Sequence, residues 1–440
     1  MQNYFNGLAD FLTAKLTGDE VFTMGFSGED SDFVRFNHSK IRQAGAVQQR
    51  YLSLDLIIGA RHATGVTTLT GEAKVDQASL TDLLDDLRKK VPHLPEDPHL
   101  LYATEVQSTE QHGKDELPKA QDAVGQILEA GKGRDLVGIY AAGGIHAGFA
   151  NSLGQRNWFS SYSYNLDWSF YHQKDKAVKS GYAGFAWDKD ALQRKVDAAA
   201  TQLEILKKDA VTIKPGRYRV YMAPVAVYDY LGMLGWGGYG LKMHRTKQTV
   251  LLKMIEDGAK LHPSVTISEN TKDGVAENFQ SAGFLKPDRV TMIEAGSHKD
   301  CLVSPRSAKE YDVPTNGAGA GEGPDSLDVA AGDIPEAEIL NRLDKGVYIN
   351  NVWYLNYSDR PACRITGMTR FACFWVEGGE IVAPLNVMRF DETLYRAFGD
   401  NLIGLTKERE MILDSGTYSG RNTSSGRVPG ALIEDFNFNL

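Results

Sequence analysis

The chain has 440 residues, of which 42% are hydrophobic and 24% are charged, as is typical of a globular protein. This length exceeds one ordinary hydrophobic core, so two domains are expected. With 57 acidic and 48 basic residues the net charge is −9, which argues against direct nucleic-acid binding. No stretch approaches the roughly 18 apolar residues of a membrane span, and the first residues lack the features of a secretory signal. We therefore expect a cytoplasmic protein that makes no membrane contact.

Strand and helix patterns alternate in the first half of the chain. The leucines from Leu52 to Leu56 recur at every second position, which predicts a strand with one buried face. Ser79 and Asp82 form a capping-box pattern and predict the start of a helix at Ser79. A long charged helix is predicted from Lys189 to about Lys208. Together these patterns predict an amino-terminal α/β-type domain over residues 1–212, with a sheet and flanking helices.

A turn signal at Lys214-Pro215-Gly216 marks the expected domain boundary. Strand patterns dominate after it, most clearly from Tyr348 to Tyr357 and from Met368 to Glu377. Gly378 and Gly379 then predict a tight hairpin. The second domain, residues 213–440, is therefore expected to be strand-rich and either barrel-like or sandwich-like. The predicted fold class for the whole chain is α+β.

The segment from Tyr221 to Gly240, YMAPVAVYDYLGMLGWGGYG, combines an apolar helix pattern with a dense glycine run. Its polar positions are Tyr228 and Asp229, followed by Met233. Neither tyrosine nor methionine is a good zinc ligand, because zinc prefers imidazole, thiolate or carboxylate donors. Taken alone, the segment is typical of a buried helix that enters a flexible loop.

No other pattern in the chain predicts a metal or nucleophile site. The ten histidines are scattered singly, and none pairs with another at the helical spacing that would place two ligands on one face. His244 lies in a basic string, Lys-Met-His-Arg-Thr-Lys, that indicates a solvated face. The three cysteines are too far apart for a metal knuckle. The glycine-rich stretch from Asn316 to Gly332 lacks the Lys-Ser/Thr of a phosphate-binding loop and is expected to be a mobile surface connection.

Three short motifs occur in an order that resembles the TldD/PmbA family of peptide-processing proteins. They are the early strand motif from Phe36 to Ile41, the turn Asn151-Ser152-Leu153-Gly154, and the hairpin from Phe374 to Ile381, which Pro384-Leu385 follows. The hairpin is the most specific of the three. The resemblance extends from about Val34 to the last strand, which is nearly the whole chain.

The resemblance also implies the place of a catalytic motif. Catalytic family members carry His-Glu-x-x-x-His before the glycine-rich loop, and the matching positions here are Tyr228, Asp229 and Met233. A cysteine ligand in a carboxy-terminal loop of those members corresponds to Tyr418. All three ligand positions are substituted, so the chain is similar to the metal-free PmbA/TldE-like branch. No cofactor is expected in this chain, and zinc is expected in a partner subunit.

We therefore hypothesise a non-catalytic subunit that shapes the peptide-binding chamber of a zinc-dependent peptidase complex. Its partner would be a TldD-like homologue in a heterodimer, or a second copy in a homodimer, and the substrate an unfolded peptide. One alternative is a homo-oligomeric peptide-binding protein with no proteolytic partner. Another is an active hydrolase rebuilt around Asp229 and His244.

Two kinds of residue are candidates for binding a peptide or a partner. The first are loop and turn residues: Gly237, Gly238, His244, Asn151 and Ser152. The second is the aromatic-rich segment from Tyr348 to Phe390, of which strand alternation leaves about half on an outer face.

Overall fold

The computed structural model describes residues 1–174 and 176–439 and contains two sheets with flanking helices. The strands of the first sheet are β1 (Val21–Asn37), β2 (Lys40–Ile58), β3 (Arg61–Thr68), β4 (Thr109–His112), β5 (Asp135–Asn151), β6 (Arg156–Gln173) and β7 (Lys176–Gly184). Their order is β3-β2-β1-β5-β6-β4, with β7 also paired to β6. All pairs are antiparallel except β4–β6.

Helices cover parts of both sheets. They are α1 (Gln2–Thr13), α2 (Ala73–Lys90), α3 (Ala120–Ala130), α4 (Lys189–Leu206), α5 (Pro224–Gly232), α6 (Leu241–Arg245), α7 (Leu252–Glu256), α8 (Pro305–Tyr311) and α9 (Ile339–Leu343). The long predicted helix is α4, and the Asp188 side chain caps it by accepting hydrogen bonds from two backbone amides. Each member of its apolar stripe, from Leu192 to Leu206 at helical spacing, is buried. None of the helices within the described residues is both long and apolar enough to cross a membrane.

The predicted helix start at Ser79 is wrong. Helix α2 begins six residues earlier, at Ala73. The buried carboxylate of Asp76 accepts hydrogen bonds from the backbone amides of Thr70 and Gly71, and also from the Tyr4 hydroxyl. Asp76 therefore holds the segment before the helix against α1. The side chain of Ser79 instead donates to a carbonyl within the helix.

The second sheet is built from the strands after α4. They are β8 (Gly216–Met222), β9 (Ile267–Glu269), β10 (Val290–Glu294), β11 (Ser297–His298), β12 (Ser326–Val329), β13 (Gly346–Asp359), β14 (Arg364–Glu377), β15 (Glu380–Pro384), β16 (Arg389–Thr393), β17 (Leu402–Leu413) and β18 (Ser425–Phe438). Strand β8 pairs with both β13 and β18, so the path β8-β13-β14-β16-β18 returns to β8 and forms a closed ring. The α+β prediction with a strand-rich second part is confirmed.

The two sheets contact each other directly. Residues Ala372 and Phe374 of β14 are buried in the same core as α4 and the strands of the first sheet. A hydrogen bond adds to this packing, since the Asn350 side chain donates to the carbonyl of Lys179 at 3.1 Å. The expected boundary at residues 212–213 falls in the connection between α4 and β8. A site that lies between the sheets therefore draws its side chains from both halves of the chain.

Candidate functional site

Helix α5 positions the substituted motif at the junction of the two sheets. Strand β8 ends at Met222, and Pro224 then occupies the first turn of the helix, where its missing N–H costs little. The apolar side of α5 is buried against the ring of the second sheet. Tyr228, Asp229 and Met233 line a cavity of 540 Å³. The structure thus places all three motif positions on one cavity wall.

The cavity lies between the two sheets. Its lining includes Asn165 and Asp167 of β6, Lys179 of β7, and residues of β13 and β17. Lys179 and Asp167 form an ion pair at 3.4 Å. The cavity wall is therefore polar along β6 and β7 and mixed apolar and polar on the side of α5.

Burial dominates the electrostatics of Asp229. It raises the pKa of this carboxyl to about 6; the positive charge of Lys179 opposes the shift and the negative charge of Asp167 adds to it. Burial likewise raises the pKa of the neighbouring Tyr228 hydroxyl to about 12, with Asp414 and Asp229 adding to the shift. Asp229 can therefore exchange a proton near neutral pH, whereas Tyr228 stays protonated there.

The donors on α5 do not suit a catalytic zinc ion. Such an ion needs about three protein ligands of the imidazole, thiolate or carboxylate type. Asp229 is the only such group among the three motif positions. Within residues 1–174 and 176–439, no three His, Cys, Asp or Glu side chains are grouped closely enough to hold a metal ion. We therefore assign no metal chemistry to these residues.

The glycine-rich loop after α5 is tightly packed rather than open. A Cβ atom at Gly238 would lie 2.5 Å from the Leu234 carbonyl oxygen, and Gly237 has a φ of +89°. Neither glycine lines the cavity. Both glycines are therefore required by the backbone path itself.

His244 lies behind this loop and not on the solvated face that the sequence predicted. Its Nε2 atom donates to the Gly238 carbonyl at 2.7 Å, and its ring meets that of His298 at a centroid distance of 5.2 Å. Burial lowers the pKa of His244. The ring is held by the loop and does not line the cavity of Asp229, so the geometry gives no support to a joint catalytic role for these two residues.

Asn151 and Ser152 form the turn between β5 and β6, away from the cavity. Asn151 is only 1% exposed, and its side chain accepts hydrogen bonds from the amides of Leu153 and Gln155. The Ser152 hydroxyl accepts from the Phe22 amide. These contacts stabilise the turn, and neither residue lines the cavity.

The carboxy-terminal loop reaches the cavity through Asp414 and Ser415, while Tyr418 is fully exposed and lies outside it. Arg421 fixes the end of this loop to the first sheet. Its guanidinium donates to the carbonyls of Gly143 and Ser163 at 3.1 and 2.9 Å. The predicted loop therefore lies at the site, but with a different residue facing inward.

Aromatic side chains surround the cavity opening. Trp236, Trp353 and Tyr354 are 60%, 47% and 76% exposed. Irregularities in the β13–β14 pairing accompany positive φ angles at Tyr354 and Phe371. The Arg370 guanidinium lies over the rings of Trp353 and Phe371, 5.4 and 5.5 Å from their centroids. Exposed aromatic clusters of this kind are typical of interaction sites. We call Trp236, Trp353, Tyr354 and Phe371 the aromatic rim.

The residues that the first sheet contributes to the cavity carry no local signal. Asp167 and Lys179 are ordinary strand residues in the sequence, and they reach the cavity because β6 pairs with β7 and the first sheet packs on the second. Trp236 could have been identified from the sequence, because a large apolar residue within a run of glycines is either buried by packing or exposed for binding.

Comparisons with known proteins agree with this architecture. Residues 215–439, slightly more than half of the chain, match the family model described as the PmbA/TldA metallopeptidase C-terminal domain. A search of curated proteins finds no match.

Solved structures resemble the chain along almost its whole length. TldE from Thermococcus kodakarensis gives a TM-score of 0.77 at 14% identity, covering 99% of this chain and 100% of that one. A candidate modulator of a DNA gyrase from Thermotoga maritima gives 0.76 at 14% identity and 99% coverage of both. A similar candidate modulator from Bacteroides thetaiotaomicron gives 0.74 at 14% identity, covering 99% and 98%. At this level of identity, these matches show a common fold.

Proposed function

Because this chain belongs to the TldD/PmbA metallopeptidase family, we propose that it is a non-catalytic subunit that binds an extended peptide beside a metal-bearing homologue. The observation that carries the proposal is the position of α5. Its substituted motif, Tyr228, Asp229 and Met233, lines the cavity between the sheets. The cavity combines a polar lining with a motif whose donor set does not suit zinc.

The chain's own residues account for peptide binding in three ways. The cavity of 540 Å³ is large enough for several side chains. The aromatic rim offers apolar surface at the opening, where side chains of an unfolded peptide can be taken out of water. Asn165 lines the cavity with its side-chain nitrogen donating to the carbonyls of Leu413 and Asp414, so its side-chain oxygen is the atom that would accept from a peptide main-chain amide. Main-chain contacts of this kind favour binding with little sequence preference.

In this proposal the partner subunit supplies the zinc site. A bound zinc ion there would activate water and polarise the scissile carbonyl. This chain would hold the substrate and exclude water around it. The aromatic rim also suits the partner contact itself, because tryptophan, tyrosine and arginine are enriched at the energetic centres of interfaces.

Co-expression with a His-Glu-x-x-x-His homologue from the same genome tests the proposal. We expect the two chains to co-purify as a complex that cleaves unfolded casein, and this chain alone to leave casein intact. Replacing both Trp353 and Tyr354 with alanine should weaken complex formation or cleavage at least tenfold. The matched control is Tyr171→Ala, which removes another exposed aromatic, on β6 and outside the cavity.

Two results would contradict the proposal. One is chelator-sensitive cleavage by the isolated chain, which would make it an enzyme in its own right. The other is a stable homo-oligomer that binds peptide and recovers no homologue from host extracts, which would favour a peptide-binding protein without a proteolytic partner.

A further inference from the structure

A second cavity continues the first along one face of the first sheet. It has a volume of 330 Å³ and shares Asp167 and Ser415 with the larger cavity. Its lining also includes Arg35 and Arg42 at the end opposite the aromatic rim. The two cavities therefore adjoin each other, and we call them together the sheet groove.

Strand pairing fixes the floor of the sheet groove. Arg35 of β1 is opposite Ile139 of β5, Ile139 is opposite Asp167 of β6, and Asp167 is opposite Gly181 of β7. Directly paired residues point to the same face of a sheet, so these positions form one row across it. With Arg42 on β2, the row crosses five strands, or about 19 Å at the usual strand spacing. An extended peptide of about six residues has that length.

A β-bulge adds Arg42 to this row. In the β1–β2 pair, Arg35 is opposite Gln43 and Phe36 is opposite Ile41, so Arg42 is the extra residue between them. Bulges interrupt the alternation of side chains and re-aim the inserted residue. Here the inserted side chain lines the groove together with Arg35.

These two arginines differ from the others on the strands of the first sheet. Each of the other three is paired with a carboxylate: Arg50 with Asp30, Arg61 with Glu96, and Arg156 with Asp10. Within residues 1–174 and 176–439, Arg35 and Arg42 have no carboxylate at ion-pair distance, and both are exposed. The arginines of these strands that lack an ion pair thus both lie at one end of the groove.

The opposite end has the reverse charge. The larger cavity is lined by four carboxylates, Asp167, Asp229, Glu410 and Asp414, and by one cation, Lys179. Lys179 is paired with Asp167, and Glu410 with Lys195 at 3.2 Å, so among the described residues Asp229 and Asp414 are the carboxylates of this cavity that have no ion pair. A groove with cationic and anionic ends can distinguish the two directions of a bound peptide.

We infer that the sheet groove binds an extended peptide in one direction, with a carboxylate of the peptide held by Arg35 and Arg42. The inference rests on the proposed peptide-binding function and adds the chemical class of substrate: a chain whose carboxylate lies within about six residues of the segment in the larger cavity. Guanidinium groups suit this role because their forked donors match the two oxygens of a carboxylate. The carboxylate is either the peptide's carboxyl terminus or an Asp or Glu side chain.

Calorimetric titration with synthetic peptides tests the inference. Three N-acetylated octapeptides are compared. The first two consist of uncharged residues and end in a free carboxyl group and in an amide, respectively. The third also ends in an amide, but its last residue is glutamate. The protein is the full chain, as wild type and as the double variant Arg35→Gln/Arg42→Gln. The control is Arg217→Gln, which removes another exposed arginine, on β8 and outside both cavities.

We expect the wild type to bind the free-carboxyl peptide about tenfold more tightly than the uncharged amide, a typical difference for a charge-assisted contact. The double variant should bind both with the weaker affinity, while Arg217→Gln behaves as wild type. If the glutamate peptide equals the free-carboxyl peptide, the arginines accept either source of carboxylate; if it equals the uncharged amide, they require the terminus.

Equal binding of all three peptides by the wild type would overturn the inference and leave the proposed peptide-binding function standing. A carboxylate preference that survives in the double variant would also overturn it, because another cation would then be responsible. Binding of none of the peptides would contradict both the inference and peptide binding by the isolated chain. Casein cleavage by the co-expressed complex would then report separately on the partner role.

Discussion

The ring of Tyr228 lies directly over the Cα atom of Gly426, so that a Cβ built on the glycine would overlap ring carbons Cδ2 and Cε2. Tyr228 is on α5 and Gly426 is on β18, nearly 200 residues later in the chain. The contact sets how closely the helix with the substituted motif approaches the second sheet. A side chain larger than hydrogen at residue 426 must therefore displace the tyrosine.

We expect Gly426→Ala to lower the free energy of unfolding by about 1–3 kcal/mol, the usual cost of overpacking a core. Urea denaturation of the variant and the wild type measures this difference in the free energy of unfolding. Because the strain comes from one contact, adding Tyr228→Ala should recover part of the loss, and a double-mutant cycle gives the coupling. Gly45→Ala is the control, since Gly45 is also a strand glycine but has no atom within 4 Å of the position that its Cβ would take. Full additivity of the two substitutions would contradict this account.

Asp229 should make stability depend on pH. Its folded-state pKa of about 6 exceeds the value of about 3.9 for an unfolded aspartate, so the folded chain retains a proton that the unfolded chain releases. This stabilisation is complete below about pH 4 and is lost as the pH rises through 6. We expect Asp229→Asn to be more stable than wild type at pH 7.5, by up to about 3 kcal/mol, with the difference vanishing near pH 4.

Urea denaturation of both proteins across pH 4–7.5 measures this difference. Asp209→Asn serves as the control, because it removes an exposed carboxylate. A constant difference between Asp229→Asn and wild type over the whole range would show that the Asp229 carboxyl has an ordinary pKa.

The glycines of the loop after α5 should differ in their tolerance of a side chain. Gly238→Val should destabilise the protein most, because a Cβ there meets the Leu234 carbonyl oxygen. Gly237→Val should cost about 1–2 kcal/mol because its φ is positive. Gly235→Ala should cost less than either, since the nearest atom to its Cβ lies at 3.8 Å, an ordinary contact. Thermal denaturation of the three variants gives the ranking, and equal melting temperatures would refute it.

Arg421 should protect the carboxy-terminal loop from proteolysis. Its guanidinium holds the loop to Gly143 and Ser163, and the fully exposed Tyr418 nearby is a chymotrypsin site. We expect Arg421→Gln to be cleaved after Tyr418 several times faster than wild type, because loop opening precedes cleavage. Mass spectrometry identifies the cut, and Tyr418→Ala in the same background should abolish it. An unchanged rate would show that other contacts hold the loop.

Local sequence patterns determined much of this protein. The leucine alternation of β2 and the apolar stripe of α4 reflect burial on one face of a single element, so they are readable from neighbouring residues. The substituted motif, which begins on α5 and ends at the residue after it, was equally readable, because it depends only on the residue types at positions 228 and 233. The motifs of the hairpin at Gly378 and Gly379 indicated the family for the same reason.

Tertiary structure alone decided what surrounds that motif. Asp167 and Lys179 reach Asp229 through the packing of one sheet on the other, and the burial that shifts the Asp229 pKa exists only after that packing. His244 was predicted on a solvated face because its sequence neighbours are basic, yet the fold turns its ring toward Gly238. Such contacts join residues distant in sequence or depend on how a loop folds back, and residue order in one chain carries no local signal for them.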